Sequence, residues 1–175
     1  MFYRVINEKT KLSLTIPQYC EEIFVVIDQN RDFLKAWLPW LDHSKIVEDV
    51  KAFNLLQLDK FKEGSALNLT IFYEDKVAGI IGYNTIDQVN GIGCIGYWLA
   101  EKYNGKGIMT ACVKDLIKIG RDFYNLQKVD IRCATGNTRS RAIPERLGFH
   151  HAGTLKRAEK VYNRWLDHEV YELIL

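Results

Sequence analysis

Gly96-Tyr97-Trp98-Leu99-Ala100-Glu101-Lys102-Tyr103-Asn104-Gly105-Lys106-Gly107-Ile108-Met109-Thr110 reads as an apolar strand, a short loop with two glycines, and a helix that starts at once. The first N–H groups of a helix have no intrahelical partners and point the same way. With the positive end of the helix dipole they form a seat for a phosphate or pyrophosphate. Gly105 and Gly107 let the main chain approach such an anion with no side chain between. The stretch predicts a strand–loop–helix unit with a phosphorylated ligand at the loop.

Two common phosphate loops do not fit. A Walker loop ends in Gly-Lys-Ser/Thr, whereas Lys106 lies between the glycines and Gly107 precedes Ile108. The dinucleotide fingerprint appears as Gly91-Ile92-Gly93-Cys94-Ile95-Gly96, but it leads into a strand instead of following one and opening a helix. It reads as a turn and a strand entry.

Outward from this unit, hydrophobic spacing sets the other elements. An alternating strand at 12–16 stops at Pro17, and Ile23, Phe24, Ile27, Leu34 and Trp37 mark one or two helical segments before Pro39. Ile46, Val50, Phe53 and Leu56 repeat at helical steps, with Ser44 as the expected cap. Strands follow at 67–73, 76–86 and 93–100, with turn residues at Glu74-Asp75-Lys76 and Gln88-Val89-Asn90-Gly91. After the glycine loop, Ile108, Cys112, Leu116, Ile119 and Phe123 form a core-facing stripe. A strand at 129–134 precedes a helix capped by Asn137 and closed at Gly148, with Pro144 bending or shortening it. Two last strands, at 149–155 and 168–174, complete an α/β domain with a mixed sheet.

The chain has 175 residues, 47% hydrophobic and 26% charged, as in one globular domain spanning 1–175. A net charge of +2 with no basic run argues against nucleic-acid binding. No apolar run approaches the roughly 20 residues of a membrane span. Met1-Phe2-Tyr3-Arg4-Val5-Ile6-Asn7-Glu8 is mixed and charged, unlike a signal peptide, and a cytoplasmic location is expected. Cys20, Cys94, Cys112 and Cys133 have no paired spacing and read as buried thiols in a reducing compartment. A catalytic thiol, with Cys94 forming an acyl-enzyme, is the alternative. His43, His150, His151 and His168 show no metal-binding spacing, so no metal is expected.

The segment Asn104-Gly105-Lys106-Gly107-Ile108-Met109 resembles the acyl-CoA loop of the GNAT superfamily of N-acetyltransferases, Gln/Arg-x-x-Gly-x-Gly/Ala. Asn104 stands in place of Gln/Arg and Met109 in place of the small residue. The pyrophosphate contacts are largely main-chain, so these departures should tune affinity. Asn30 through Trp40, Ile86-Asp87-Gln88-Val89-Asn90, Ile95-Gly96-Tyr97-Trp98, Asn137-Thr138-Arg139-Ser140, Glu145-Arg146-Leu147-Gly148-Phe149 and Asp167-His168-Glu169-Val170-Tyr171 resemble the RimJ/RimL branch in order and spacing.

The resemblance implies an α+β fold: a mixed, mostly antiparallel sheet flanked by helices, with two central strands splayed by a bulge in the strand carrying Gly96-Tyr97-Trp98-Leu99. Acetyl-CoA is then the co-substrate. Its pyrophosphate lies on Asn104, Gly105, Lys106, Gly107, Ile108, Met109 and Thr110. Its pantetheine lies in the splay, with a main-chain N–H at Trp98 or Leu99 facing the thioester carbonyl. Asn137 falls near the pantetheine, Ser140 near the sulfur as proton donor, and Glu159 is the base acting through a water. Bland readings stand beside these: Asn137 as a helix cap, Ser140 as a first-turn residue, and Glu159 as a solvated loop charge among Lys156, Arg157 and Lys160. Glu169 and Glu101 are lesser candidates, Glu169 on a strand facing solvent. Phe33, Trp37, Trp40, Tyr97, Trp98 and Tyr162 line an acceptor cleft or belong to the core.

Acetyl transfer to an amine needs the thioester held, the amine deprotonated, the developing oxyanion stabilised and the departing thiolate protonated. An N-terminal amine with a pKa near ~8 is roughly a tenth or more neutral at physiological pH, whereas lysine near ~10.4 is neutral about once in a thousand molecules. A single carboxylate therefore suits an α-amine. The expected acceptor is a protein N-terminus, typically of a ribosomal protein in this branch. A small-molecule amine (a polyamine, an amino-sugar drug or an aminoacyl-nucleotide toxin) is the close alternative. A non-catalytic acyl-CoA-binding module is the alternative of another class, and it needs neither Ser140 nor Glu159. A homodimer is expected by analogy.

Overall fold

The computed structural model describes residues 3–175. One eight-stranded sheet runs β1 (Arg4–Val5), β2 (Thr10–Leu14), β3 (Leu67–Tyr73), β4 (Lys76–Asp87), β5 (Ile92–Leu99), β6 (Lys128–Ala134), β8 (Arg164–Ile174) and β7 (His150–Val161), in that spatial order. Five α-helices flank it: α1 (Cys20–Gln29), α2 (Arg31–Lys35), α3 (Val47–Lys62), α4 (Ile108–Tyr124) and α5 (Thr138–Arg146). All strand pairs are antiparallel except β5 with β6. The connection from β5 to β6 runs through α4, as a parallel pair requires.

Strand alternation sends neighbouring residues to opposite faces. Leu69, Ile71, Ile81, Tyr83, Ile95 and Leu99 pack with Ile108, Cys112, Leu116 and Ile119 of α4, which gives the larger core cluster. Phe72, Val77, Ile80 and Trp98 pack with Cys20, Ile23 and Ile27 of α1, Leu34, Leu41 and Val50 on the other face. Phe123 does not extend the α4 stripe: it is exposed past the end of the packed face, and Leu126 takes the buried position. Within the 46–56 repeat only Val50 is buried; Ile46, Phe53 and Leu56 are exposed, while α3 packs on α1 and β3 with Val50 and Asn54 inside. Ser44 is not the cap of α3. Asp49 Oδ2 accepts from the Ile46 N–H at 3.1 Å and the Lys45 N–H at 2.8 Å, so an N3 carboxylate satisfies the free donors.

The sheet opens at its centre. β5 pairs with β6 only from Ile92↔Lys128 to Ile95↔Ile131, whereas β5 pairs with β4 as far as Leu99 and β6 pairs with β8 as far as Ala134. Gly96, Tyr97, Trp98 and Leu99 therefore turn a backbone edge toward a gap. The expected bulge lies elsewhere: Tyr83↔Ile95 is followed by Thr85↔Cys94, so the extra residue is Asn84 of β4, across the ladder from β5. The last hairpin is longer than its apolar pattern. β7 and β8 continue to the turn at Tyr162, past the Lys/Arg-rich segment, with irregularities at His151/Gly153 and Leu155/Glu159.

Candidate active site

The glycine loop follows a one-turn 3-10 helix, Glu101–Tyr103. Gly105 at φ +76° and Gly107 at φ +73° occupy the left-handed region, which glycine enters at no steric cost. Gly107 is the N-cap of α4 and uses no side-chain cap. The first bond closing the helix is Ala111 N–H to the Gly107 carbonyl at 3.1 Å, which leaves the Ile108, Met109 and Thr110 N–H groups without helical partners. A Cβ at either glycine would meet nothing within 4 Å, so the space above the loop is open. Ile108 and Met109 anchor the loop from below as buried side chains. Asn104 turns its side chain inward: Nδ2 donates to the Glu101 carbonyl at 3.0 Å, fixing the turn. Lys106 Nζ lies over the Tyr73 and Tyr103 rings, at 5.4 and 5.6 Å. Thr110 Oγ1 accepts from Arg146 at 2.9 Å.

From the loop a cavity of about 290 Å³ runs along the open edge of β5, lined by Trp98, Leu99, Asn104, Met109, Asn137 and Ser140 among others. A larger cavity of about 670 Å³ shares the Trp37, Tyr97, Trp98, Asn137 and Ser140 wall and reaches Glu159 and His168 on one side and α3 on the other. Residues 137 and 140 thus stand where the two spaces meet. Asn137 also caps α5, since its Oδ1 accepts from the Ser140 N–H at 3.2 Å. The Ser140 hydroxyl donates to the Tyr97 hydroxyl at 3.3 Å, and Tyr97 donates to the Ser140 carbonyl at 3.1 Å. Burial pushes the Tyr97 phenol far up, so it keeps its proton and remains a donor. Burial likewise pushes the thiols of Cys94 and Cys133 up, disfavouring the thiolate that an acyl-enzyme needs.

Glu159 lies on β7, not on a loop. Between Leu155↔His168 and Glu159↔Leu166 the β7 side carries extra residues, with Arg157 at φ +49°. Asp167 pins this bulge: its carboxylate accepts from the Arg157 N–H at 2.8 Å and from Lys156 Nζ at 2.9 Å. The bulge re-aims the strand so that Glu159 lines the larger cavity, with Oε2 at 3.3 Å from His168 Nε2. Flanking Lys156, Arg157 and Lys160 are exposed, while Glu159 is half-buried.

Glu169 does not face solvent. It is buried and accepts from Thr154 and Thr135 at 2.8 Å each, with His151 Nε2 at 2.5 Å. These hydrogen bonds, the Thr154 bond first, hold its carboxyl down at about 2. Its depressed value means that the stabilisation is complete above the ordinary carboxylate range and is lost as pH falls from about 4.5 to about 2. Thermal melts of the wild type and Glu169→Gln between pH 7 and 2 should show this. The wild type loses its advantage across that window, and parallel curves would refute the account.

The structure brings together Trp98, Leu99, Asn104, Met109, Asn137 and Ser140 along one cavity and joins Glu159 through the second. Gly105, Lys106, Gly107, Ile108 and Thr110 form the loop at its end. Glu101 lies in the turn before that loop, exposed. Asn84 and Asn54 line the larger cavity without having stood out in the sequence, and His168, which the sequence offered only as part of the terminal segment of the resemblance, lines it too. His168 meets Glu159 through a bulged register that no spacing rule encodes. The Tyr97 hydroxyl could have been found from strand alternation, because Tyr97 and Ile95 share a face.

A family model described as an acetyltransferase (GNAT) domain matches residues 13–150. The chain is a GNAT acetyltransferase. As such it uses acetyl-CoA as acetyl donor, and the open space over Gly105 and Gly107 with the free N–H groups behind it fits that group. The GNAT chain is 30% identical to a Bacillus subtilis (strain 168) protein named as a ribosomal N-acetyltransferase, YdaF, over 97% of this chain and 92% of that protein. It is 28% identical to the ribosomal-protein-serine acetyltransferase of Escherichia coli (strain K12), over 97% and 95% of the two chains. These relatives place the GNAT chain in the RimJ/RimL branch. Among solved structures, the microcin C7 self-immunity acetyltransferase MccE, in complex with acetyl-CoA and AMP, superposes with a TM-score of 0.92 at 29% identity, covering 97% of this chain and 94% of that one.

No helix among the described residues is long and apolar enough to cross a membrane, and these residues form no cluster of three or more His, Cys, Asp or Glu side chains that could hold a metal ion.

Proposed function

We propose that this enzyme transfers acetyl from acetyl-CoA to the N-terminal α-amine of a protein, a ribosomal protein as for the relatives' names, by direct attack in a ternary complex. One observation carries the reading: Ser140 of α5 and Glu159 of β7, two successive elements, line a single cavity that meets the open edge of β5. The whole chain, 1–175, acts as one acetyltransferase domain in this reading. Bound acetyl-CoA supplies a thioester-activated acyl group. The α4 N-terminus and the glycines hold the diphosphate, and a β5 N–H at Trp98 or Leu99 donates to the thioester oxygen. Glu159 takes a proton from the amine through a water. The Ser140 hydroxyl turns its one proton from the Tyr97 oxygen to the departing sulfur and recovers a proton from solvent after the thiol leaves.

Ser140→Ala should lower kcat by about 10²-fold or more with CoA affinity within about twofold, the loss expected for removing one general acid. Steady-state kinetics with isothermal titration of CoA measures both. A module that only binds acyl-CoA would show no turnover to lose, and unchanged turnover in both Ser140→Ala and the Glu159 variant would overturn the assignment.

The second reading, a small-molecule amine, is favoured by the aromatic wall of the acceptor space. Trp40 and Trp98 lie 6.4 Å apart at 54°, and Trp37 closes over Gly136. Such a wall suits a planar group, and the microcin immunity relative is solved with AMP. Labelled acetyl-CoA incubated with enzyme and cell extract separates the readings, since the label ends in protein or in small molecules. A cytoplasmic homodimer without nucleic acid belongs to the same proposal. It is supported by the free thiols and by the outer edge of β7, which is unpaired on that side. Sedimentation tests it.

A further inference from the structure

Arg132 of β6 is exposed and lines the larger cavity. Alternation puts it on the sheet face opposite Ile131 and Cys133, which pack toward α4. Among the described residues lining that cavity it is the only lysine or arginine. Two carboxylates on its own face are already taken. Asp130, two residues back along β6, lies 3.3 Å from Lys128 Nζ, and Glu172, diagonal to Arg132 on β8, lies 2.7 Å from the same ammonium. Arg132 itself has no ion pair, hydrogen bond or ring contact with any described residue. A guanidinium left free in a cavity offers a fork of donors that matches carboxylate or phosphate oxygens.

A second donor stands beside it. Ile95↔Ile131 is the last pair between β5 and β6, so Arg132 is the first β6 residue past the closed end of the opening, as Gly96 is on β5. A Cβ at Gly96 would run into the Asn84 amide, which therefore stands over that glycine. Asn84 is exposed, lines the same cavity and has no hydrogen bond to any described residue.

The span to the chemistry follows from the register. Arg132 pairs with Val170, Ala134 with His168 and Glu159 with Leu166, so Arg132, His168 and Glu159 share one face. Arg132 and His168 are two residues along and one strand across, about 8 Å between Cα atoms at roughly 3.3 Å per residue and 4.8 Å per strand. His168 Nε2 in turn lies 3.3 Å from Glu159 Oε2. An extended acceptor advances about 3.3–3.6 Å per residue and covers that distance in two to three residues.

We propose that Arg132, assisted by Asn84, binds an anionic group that the acceptor carries close to its reacting amine: a carboxylate within the first three residues of a protein chain, or the phosphate of a smaller acceptor. The proposal rests on the reading above that puts the amine at Glu159 in this cavity, and it names the charge of the substrate.

The test uses the wild-type enzyme and acetyl-CoA at low ionic strength. One arm compares amidated hexapeptides with a free Ser N-terminus that carry Glu or Gln at residue 2 or 3 and are otherwise uncharged. The other compares the alanyl phosphoramidate of adenosine with 5′-alanylamido-5′-deoxyadenosine, which lacks the phosphate. In one arm the anionic member should be favoured by about tenfold or more in kcat/KM, carried in KM, as for a hydrogen bond between charged groups. The arm that shows it identifies the source of the anion. Arg132→Lys should keep part of the preference, Arg132→Gln should lose it and Arg132→Glu should reverse it, with CoA affinity by isothermal titration within about twofold in all three. No preference for the anionic member in either arm overturns the proposal, and so does a preference that persists in Arg132→Gln. A loss of CoA affinity also overturns it, since Arg132 would then serve the donor. No turnover of any acceptor is a separate result, which overturns the reading of the cavity and this proposal with it.

Discussion

Glu159→Gln is expected to lower kcat at pH 7 by about 10²–10⁴-fold, the range for a lost general base, with CoA affinity within about twofold. The isosteric amide keeps the contact with His168, at 3.3 Å in the wild type, and it leaves the bulge held by Asp167 in place. The loss should therefore be chemical and not structural, which a thermal melt checks. It should also shrink with pH. An α-amine with a pKa near ~8 deprotonates unaided above that value, so the gap between variant and wild type narrows toward about tenfold or less by pH 9. A gap that stays constant from pH 6.5 to 9 would show that Glu159 does not take the amine's proton. The carboxylate would then serve only to seat the acceptor, which appears in KM.

The second large effect is expected at Gly107. In Gly107→Glu a side chain enters the left-handed region at φ +73°, at a cost of about 1–2 kcal/mol. It also places a carboxylate in the open space over the α4 N–H groups, where the diphosphate sits in the proposed function. The KM for acetyl-CoA should rise by about 100-fold or more, with kcat at saturation changed far less. Gly107→Ala, which has the strain without the charge, should raise KM by about tenfold. Isothermal titration with CoA reports the same order. Normal CoA binding by Gly107→Glu would mean that the loop is not the anion seat.

The strand, loop and helix from Gly96 to Thr110 were legible because local rules act on contiguous residues: alternation, positive-φ glycines and a stripe at helical steps. Asn137 was legible as a cap for the same reason, and its side chain does accept from Ser140 N–H. Apart from one local rival for a helix cap, the misses are non-local. Ser44 lost the cap to Asp49 because a carboxylate one turn into the helix folded back onto two free N–H groups. The bulge moved to Asn84 because either strand of a pair can carry the extra residue. Glu159 left its loop because an Asp167 carboxylate on the opposite strand stabilises a bulge among cationic residues. Glu169 went inside because Thr135, Thr154 and His151 from two other segments supply its donors. Family resemblance carried the candidate site where spacing could not, since Ser140 and Glu159 meet only through the folded sheet.

The opening between β5 and β6 has rims that are each stitched to a further strand, β4 on one side and β8 on the other, and it closes at Ile95 and Ile131, both deeply packed. A crevice framed this way needs no hinge. Its breadth is inherited from two rigid ladders, so a donor arm sliding in finds its rail already straight, and little main-chain rearrangement should accompany docking.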